Sequence, residues 1–331
     1  MKRIALFLLA LAAASIAISE PALASATPAP AASPAKSAAA AAADYIERGR
    51  AFIRAHNNAA AIEMFNKAIA VEPNDAVAYA ARGDAKANLN DDKGALADYD
   101  QAIVLDPQYE YAYATRCDTR DAMNDDTAAL EDCNKAIQLD PTDAFAWERR
   151  GRVNYFLNDY KSAETDLSKA ISLDDSDGEA YADRCNTRRA VQNYDGARAD
   201  CAQAVTITPD RAFAHMVRGH LEENTGEFDA AVKDLSKCLA EDPALAICGF
   251  YRGLSYTNHG DWGKAKSDYD AYLKVYPSDA DALYNRALSE KNLGDIKSAI
   301  ADATAAMNQY KVDGRTSDAA DAQSLLSSLH V

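Results

Sequence analysis

The chain of 331 residues is poor in basic side chains, with 35 Lys and Arg against 51 Asp and Glu and a formal net charge of −16. Proteins that bind nucleic acid or anionic membranes draw their affinity from clustered Lys and Arg. The acidic balance therefore argues against both kinds of partner. It does not indicate disorder, because 48% of the residues are apolar, as in an ordinary folded protein.

The sequence also lacks the short motifs that mark common catalytic and metal sites. It contains no HExxH, GxSxG, Walker loop or GxGxxG, and no CxxC or HxxxH pair that would favour zinc. His215 and His220 are five residues apart, so on a helix their side chains diverge around the axis. We therefore predict a protein without catalytic activity, metal site or cofactor.

Long apolar runs are scarce, and the clearest one stands near the first residue. Lys2 and Arg3 precede an uncharged apolar run from Ile4 to Ala17, and Ala22-Leu23-Ala24 has the small-x-small pattern of a cleavage site. The run ends well before the ~20 residues that a membrane-spanning helix needs. Residues 1–24 thus predict a secretory signal peptide. The mature protein is expected to be exported, periplasmic or secreted, and without a membrane span.

Residues 25–41 are rich in Ala and Pro, including Pro28, Pro30 and Pro34. Such a segment cannot bury a varied core, and its prolines favour extended conformations. We predict a tether between the signal peptide and the folded part. Spare sequence left beyond the cleavage site is the alternative interpretation.

From residue 42 the chain repeats every 34 residues without insertion or deletion. Places within each repeat are numbered here from 1 to 34. Place 20 is Ala in all eight repeats, place 8 is always small, and place 32 is Pro in six. Apolar residues recur at helical spacing in two stretches per repeat, separated by turns such as Asn158-Asp159. The eight units are 42–75, 76–109, 110–143, 144–177, 178–211, 212–245, 246–279 and 280–313.

This pattern resembles the tetratricopeptide repeat (TPR) over residues 42–313. The resemblance implies an all-α fold, a right-handed superhelical solenoid of eight helix-turn-helix repeats. Stacking is required because a single helix pair cannot bury its apolar faces alone. Residues 314–331, with Leu325, Leu326 and Leu329, are expected to form a capping helix over the open end.

Two charged places recur in the same register. Place 7 is Arg in every repeat, and place 23 is Asp in seven, with Met64 as the exception. Because places 8 and 24 should touch across the helix pair, their neighbours should lie close as well. We predict a repeating ladder of Arg–Asp ion pairs with bidentate geometry. An anion-binding surface of eight arginines is a weaker alternative, since the matched acids would neutralise it.

The six cysteines follow this register too. Two pairs occupy places 8 and 24 of repeats three and five, and the third pair flanks the junction of repeats six and seven. A disulfide between packed helices requires such proximity, and the oxidising compartments that exported proteins enter would permit the bond to form. Free buried thiols are the alternative. The predicted disulfides are Cys117–Cys133, Cys185–Cys201 and Cys238–Cys248.

In TPR proteins, which this sequence resembles, places 2, 5, 9, 12 and 13 of the first helix line a concave groove. Repeats two and three supply acids there, including Asp84, Asp118 and Asp121, whereas later repeats supply apolar and aromatic residues. Aromatic and Met anchors beside polar groups suit an extended peptide or a partner helix. Packing against neighbouring repeats is the alternative role. The candidate partner-binding residues are Phe145, Arg152, Tyr155, Phe213, Met216, His220, Phe250, Tyr284, Asn285 and Lys291.

Taken together, these features favour a non-catalytic protein–protein interaction scaffold of the cell envelope. It would bind a peptide segment or a partner helix in the concave groove. The alternative is a structural, assembly or accessory subunit of an envelope or secretion complex that acts through its outer surface.

Overall fold

The computed structural model describes residues 34–329, and this part of the chain consists of seventeen α-helices without strands. The predicted signal peptide lies outside the described residues. The all-α fold class of paired helices is confirmed. The helices are α1 (Pro34–Arg54), α2 (Asn58–Val71), α3 (Ala76–Ala87), α4 (Asp92–Leu105), α5 (Glu110–Ala122), α6 (Asp126–Leu139), α7 (Ala144–Phe156), α8 (Tyr160–Leu173), α9 (Gly178–Ala190), α10 (Tyr194–Ile207), α11 (Ala212–Asn224), α12 (Phe228–Glu241), α13 (Ala246–His259), α14 (Trp262–Val275), α15 (Ala280–Asn292), α16 (Ile296–Val312) and α17 (Thr316–Leu329).

Helix boundaries follow the local sequence at fixed places of the repeat. From repeat two onward, the first helix begins at place 1, and the residue before it often caps the helix: the Asp75 carboxylate accepts the backbone N–H groups of Val77 and Ala78. Between the two helices, place 15 adopts a positive φ, which is 60° at Asn90, 63° at Asn124 and 80° at Gly226. Asn and Gly tolerate this left-handed conformation, which explains why they dominate there.

Contacts divide the described residues into two compact parts, residues 34–173 and 174–329. Within each part, the first helix of a repeat packs on the second through places 8 and 24. A Cβ atom on Gly83 would lie 2.5 Å from the ring of Tyr99, and one on Gly151 would lie 2.7 Å from Leu167. Place 8 is therefore small because the side chain at place 24 rests on its backbone.

The start of α1 differs from the predicted tether. Helix α1 begins at Pro34, so residues 34–41 are helical rather than extended. Proline at the first helical position loses no hydrogen bond, and the alanines that follow have the highest helix propensity. The prediction gave too much weight to the proline and too little to the alanine run. The rest of the predicted tether, residues 25–33, lies outside the described part.

Three disulfides occupy the places that the cysteine register indicated. Cys117–Cys133 and Cys185–Cys201 each join the two helices of one repeat, with the Cα atoms 5.4 Å apart in both. They replace the contact between a glycine and a large side chain that five of the other six repeats make at places 8 and 24. The Cys238–Cys248 bond, with Cα atoms 6.3 Å apart, joins α12 to α13 across a repeat junction.

The predicted Arg–Asp ladder is confirmed in repeats two to eight. In each, Nε and Nη2 of the place-7 Arg donate to the two carboxylate oxygens of the place-23 Asp; in repeat four these distances are 2.8 and 2.7 Å. Repeat one differs because Met64 replaces the acid, and Arg48 pairs only with Asp44 at 3.6 Å. The seven pairs are Arg82–Asp98, Arg116–Asp132, Arg150–Asp166, Arg184–Asp200, Arg218–Asp234, Arg252–Asp268 and Arg286–Asp302.

The remaining terminal nitrogen of several ladder arginines reaches the second helix of the preceding repeat. Arg150 Nη1 donates to Asn134 at 2.9 Å, and Arg116 Nη1 to Asp100 at 2.6 Å. Equivalent bonds are Arg82–Asn66, Arg252–Ser236 and Arg286–Asp270. One guanidinium thus fixes both the helix pair of its own repeat and the register with the repeat before it.

The last helix, α17, closes the end of the second part. Leu325, Leu326 and Leu329 are buried against an apolar cluster that includes Ala299 and Ala303 of α16. The helix therefore covers an apolar face that would otherwise be exposed to water, as a terminal cap of a repeat array must do.

Removing one partner of a buried ladder pair should be strongly destabilising. Asp166 is 3% exposed, so Asp166→Ala leaves the Arg150 guanidinium without its bidentate partner. We expect a loss of about 3 kcal/mol in the free energy of unfolding, measured by urea denaturation. The matched control is Arg48→Ala, at the ladder place without an aspartate, where a loss below about 0.5 kcal/mol is expected. Equal losses at the two sites would contradict a stabilising ladder.

The disulfides predict a specific mass and a specific loss on removal. The oxidised protein should be lighter than the reduced protein by six hydrogens in intact mass spectrometry. Replacing Cys117 and Cys133 together by Ser should lower the free energy of unfolding by about 3 kcal/mol, because the bond closes a loop of sequence separation 16. Detection of six free thiols in the protein purified from an oxidising compartment would contradict the assignment.

Candidate partner-binding surface

The predicted groove residues of repeats three and four are tied together by internal ion pairs. Arg149 Nη1 lies 3.1 Å from Asp118, Arg152 Nε lies 3.1 Å from Asp121, and Arg152 Nη2 also binds Asp118. Burial opposes ionisation of Asp118, but the two guanidinium groups hold its pKa below the usual value. The predicted site residue Arg152 and two acids of the predicted acidic front, Asp118 and Asp121, therefore neutralise one another.

The aromatic candidates of repeat four are half-buried in local packing. The Arg149 guanidinium lies over the ring of Phe145, 4.6 Å from its centroid. Tyr155 contacts the rings of Phe156 and Tyr160, with centroids 5.4 and 5.6 Å away. Only part of each side chain is therefore exposed and able to contact a partner.

In repeats six and seven the candidates form an internal aromatic layer. Phe213 and Met216 are buried. His220 stacks on Tyr251 with ring centroids 3.7 Å apart, and burial lowers the pKa of this imidazole. Phe250 packs on Tyr272 at a centroid distance of 5.1 Å. These side chains stabilise the contact between repeats.

In repeat eight the candidates lie beside α17 or bind their own helix. Tyr284 packs against the apolar cluster that contains Leu325. Lys291 Nζ donates to Ser328 Oγ at 2.9 Å. Asn285 Nδ2 donates to the backbone carbonyl of Asp281 at 2.8 Å. The capping helix thus occupies part of the surface that sequence reasoning assigned to a partner.

An open cleft remains in repeats one to three, and it has a volume of about 370 Å³. Tyr111 is 37% exposed, more than any other Phe, Tyr or Trp residue between residues 34 and 329. Apolar side chains form the neighbouring wall. The lining residues are Arg50, Ile53, Arg54, Val77, Ala81, Asp84, Tyr109 and Tyr111.

Asp84 anchors the aromatic side of this cleft. Its two carboxylate oxygens accept the hydroxyl groups of Tyr99 at 3.0 Å and Tyr111 at 2.8 Å. Burial raises the pKa of Asp84 to about 6, although both hydroxyl groups act in the opposite direction. The exposed ring of Tyr111 is therefore held in one orientation before any partner binds.

Arg50 lines the cleft without a hydrogen-bond acceptor, and its charge opposes the rise that burial causes in the pKa of Asp84. Unlike the other arginines between residues 34 and 329, its guanidinium makes neither a hydrogen bond nor an ion pair. Neighbouring Arg54 is bound to Glu47 at 2.9 Å. Sequence reasoning named Asp84 but missed Arg50, Ile53 and Tyr111. All three stand at groove places of the repeat: Arg50 and Ile53 at places 9 and 12 of repeat one, and Tyr111 at place 2 of repeat three. Those places were the sequence signal that could have identified them.

Two family models with the description "Tetratricopeptide repeat" match the chain. One matches residues 46–110 and 252–310, and the other matches residues 146–177 and 214–245. Together they cover more than half of the chain. The chain belongs to the tetratricopeptide repeat family. A search of curated protein sequences finds no match.

Solved structures resemble this TPR protein in fold. The Cut9-Hcn1 hetero-tetramer of the APC/C matches with a TM-score of 0.71 at 12% identity, over 82% of this chain and 52% of that chain. The pilF protein of Pseudomonas aeruginosa matches with 0.55 at 17%, over 68% and 99%. Yeast Tom70 matches with 0.53 at 17%, over 88% and 65%. This chain spans about half the length of the Cut9-Hcn1 chain, and such identities show a shared fold alone.

Between residues 34 and 329, no helix has the length and apolar character needed to cross a bilayer. In the same range, no three His, Cys, Asp or Glu side chains form a cluster suited to a metal ion.

Proposed function

We propose that this TPR protein is a non-catalytic interaction scaffold of the cell envelope that binds a protein segment on its groove-facing surface. The observation that carries the proposal is the open cleft of repeats one to three. It combines an exposed ring, an apolar wall and an unpaired guanidinium on a surface whose other candidate residues already have internal partners.

The orientation of Tyr111 supports a binding role. Its hydroxyl group is bound to Asp84, so the ring has already lost rotational freedom before a partner arrives. Aromatic side chains that are rigid and partly exposed make strong anchors, because binding costs them little conformational entropy. Ile53 and Val77 provide apolar area for a partner side chain beside this ring.

The fold comparison supports the interaction role, and the cysteines support the exported location. Cut9-Hcn1, which shares the fold, is a hetero-tetramer, so the fold occurs in a protein assembly. Export is supported by the signal pattern of residues 1–24 and by the three disulfides, which persist in oxidising compartments.

A second candidate function is assembly through the outer surface. Place 14, at the end of the first helix, holds an exposed apolar residue in three successive repeats of the first part, Leu89, Met123 and Leu157, and again at Val191 and Leu293 of the second part. Exposed apolar side chains in a row suit contact with another protein. This row favours a structural or accessory role within a larger complex.

Paired substitutions distinguish the two surfaces. Purified wild-type protein, Tyr111→Ala and Met123→Ala would be incubated with a periplasmic extract, crosslinked and captured, and each bound protein quantified by mass spectrometry. The cleft model predicts that capture of the principal partner falls at least about tenfold in Tyr111→Ala, in line with loss of a central aromatic anchor. Met123→Ala should keep wild-type capture.

The opposite result assigns binding to the outer row. If Met123→Ala loses capture while Tyr111→Ala retains it, the groove proposal is wrong and the assembly role stands. Circular dichroism melting should show both variants folded at the temperature of capture, which excludes loss of fold as the cause. Tyr111→Ala should melt at a lower temperature than the wild type, because it removes one hydrogen-bond donor from Asp84.

A further inference from the structure

Place 11 of the first helix adjoins the ladder aspartate, and its residue type differs between repeats. In repeats two, three and five it is a cation that gives the aspartate a second ion pair. In repeat four it is Asn154, which donates to Asp166 at 2.9 Å. Each of these residues stabilises the ionised aspartate. The second ion pairs are Lys86–Asp98 at 2.7 Å, Arg120–Asp132 at 2.7 Å and Arg188–Asp200 at 2.8 Å.

Repeats six and eight instead carry a glutamate at place 11, next to the ladder acid. Glu222 adjoins Asp234 and Glu290 adjoins Asp302. Glu290 is 4% exposed, and the Oε2 atoms of both glutamates are buried without a hydrogen-bond partner. Two carboxyl groups therefore share one place-7 arginine, and like charges this close cannot both form without cost.

The charges around Glu222 do not offset a second negative charge. Arg218 Nε lies 4.0 Å from Glu222 Oε1, but this guanidinium is already bound in bidentate fashion to Asp234. His215 Nδ1 also lies 3.0 Å from Asp234, and Glu227 adds a further acid nearby. Burial, reinforced by Asp234, raises the pKa of Glu222 to about 8.

Glu290 has a comparable environment in repeat eight. Lys266 Nζ lies 3.7 Å from Glu290 Oε1, while Arg286 is committed to Asp302. Asp295, at the start of α16, adds to the negative field. Burial, reinforced by Asp302, raises the pKa of Glu290 to about 7.

We propose that the Glu222–Asp234 and Glu290–Asp302 pairs make repeats six and eight a pH-responsive segment of the protein. Below neutral pH each pair retains a proton, so the ladder arginine faces a single negative charge. As the pH rises through neutrality, a second buried carboxylate forms and loosens the packing between the two helices of the repeat. Repeat five, with Arg188 at place 11, keeps its packing over the same range.

The direction follows from proton linkage. Both glutamates have a higher pKa in the folded protein than the usual 4.5, so the folded chain binds more protons than the unfolded chain between these values. The part of the folding stability that depends on these bound protons is fully present at a pH near 4.5, the usual pKa of glutamate. It is lost as the pH rises through about 7 for Glu290 and about 8 for Glu222.

Hydrogen–deuterium exchange resolved by peptide tests the proposal within one molecule. The full-length mature protein would be exchanged at about pH 6 and about pH 8.5, with labelling times corrected for the intrinsic rate of exchange. Protection in residues 212–241 and 280–312 should fall about tenfold or more at the higher pH, since one pKa unit corresponds to a tenfold change. Protection in residues 178–207 should stay constant.

Substitutions identify the titrating groups. The double variant Glu222→Gln with Glu290→Gln should keep its protection at both pH values, because a neutral amide cannot ionise. Glu222→Arg should give repeat six the behaviour of repeat five. The matched control is Glu179→Gln, because Glu179 forms an ion pair with Arg211 and is not placed beside a ladder aspartate. This variant should retain the wild-type response.

Two results would overturn the proposal. A loss of protection that is uniform across repeats five to eight would place the pH response outside the two acid pairs. Persistence of the response in the double glutamine variant would assign it to another group, with His215 as the nearest titratable side chain.

Discussion

The bidentate pair between the arginine at place 7 and the aspartate at place 23 is the interaction on which the rest of the structure depends. Six of its seven aspartates are buried, so each needs its charge matched and its oxygens hydrogen-bonded. The planar guanidinium meets both oxygens and, in five repeats, still has a nitrogen for the repeat before it. A single side chain thereby sets the angle within a helix pair and the register between pairs.

Differences among the repeats arise at the places that surround this constant pair. Cysteine replaces glycine at place 8 only where cysteine also stands at place 24, because the two positions are in contact. At place 11, a cation strengthens the pair in some repeats and an acid weakens it in others, although the backbone is the same. The ladder thus supplies a common frame, and neighbouring residues give individual repeats a covalent link, an extra ion pair or a titratable site.

Much of the fold follows from the sequence because it depends on residues that recur every 34 positions. Periodicity predicts the helix pairs, the contact of places 8 and 24 and the ladder, and the leucines after the last repeat predict the capping helix. The binding site is harder to predict, because its residues do not recur in each repeat and their exposure depends on which other side chains cover them. Arg152 and Lys291 stand at groove places, yet one is held by Asp118 of the preceding repeat and the other by Ser328 of the cap. Arg50 has no such partner, and Tyr111 stays partly exposed although its hydroxyl group is bound to Asp84. No local sequence pattern shows either property.

The most direct test of this account is a double-mutant cycle on Arg150 and Asp166. The free energy of unfolding would be measured for the wild type, each alanine variant and the double variant. The account predicts a coupling of about 2 to 3 kcal/mol, since either single change leaves a charged partner that the double change removes. Additive effects, with a coupling near zero, would show that the two side chains are neighbours without holding the repeat together.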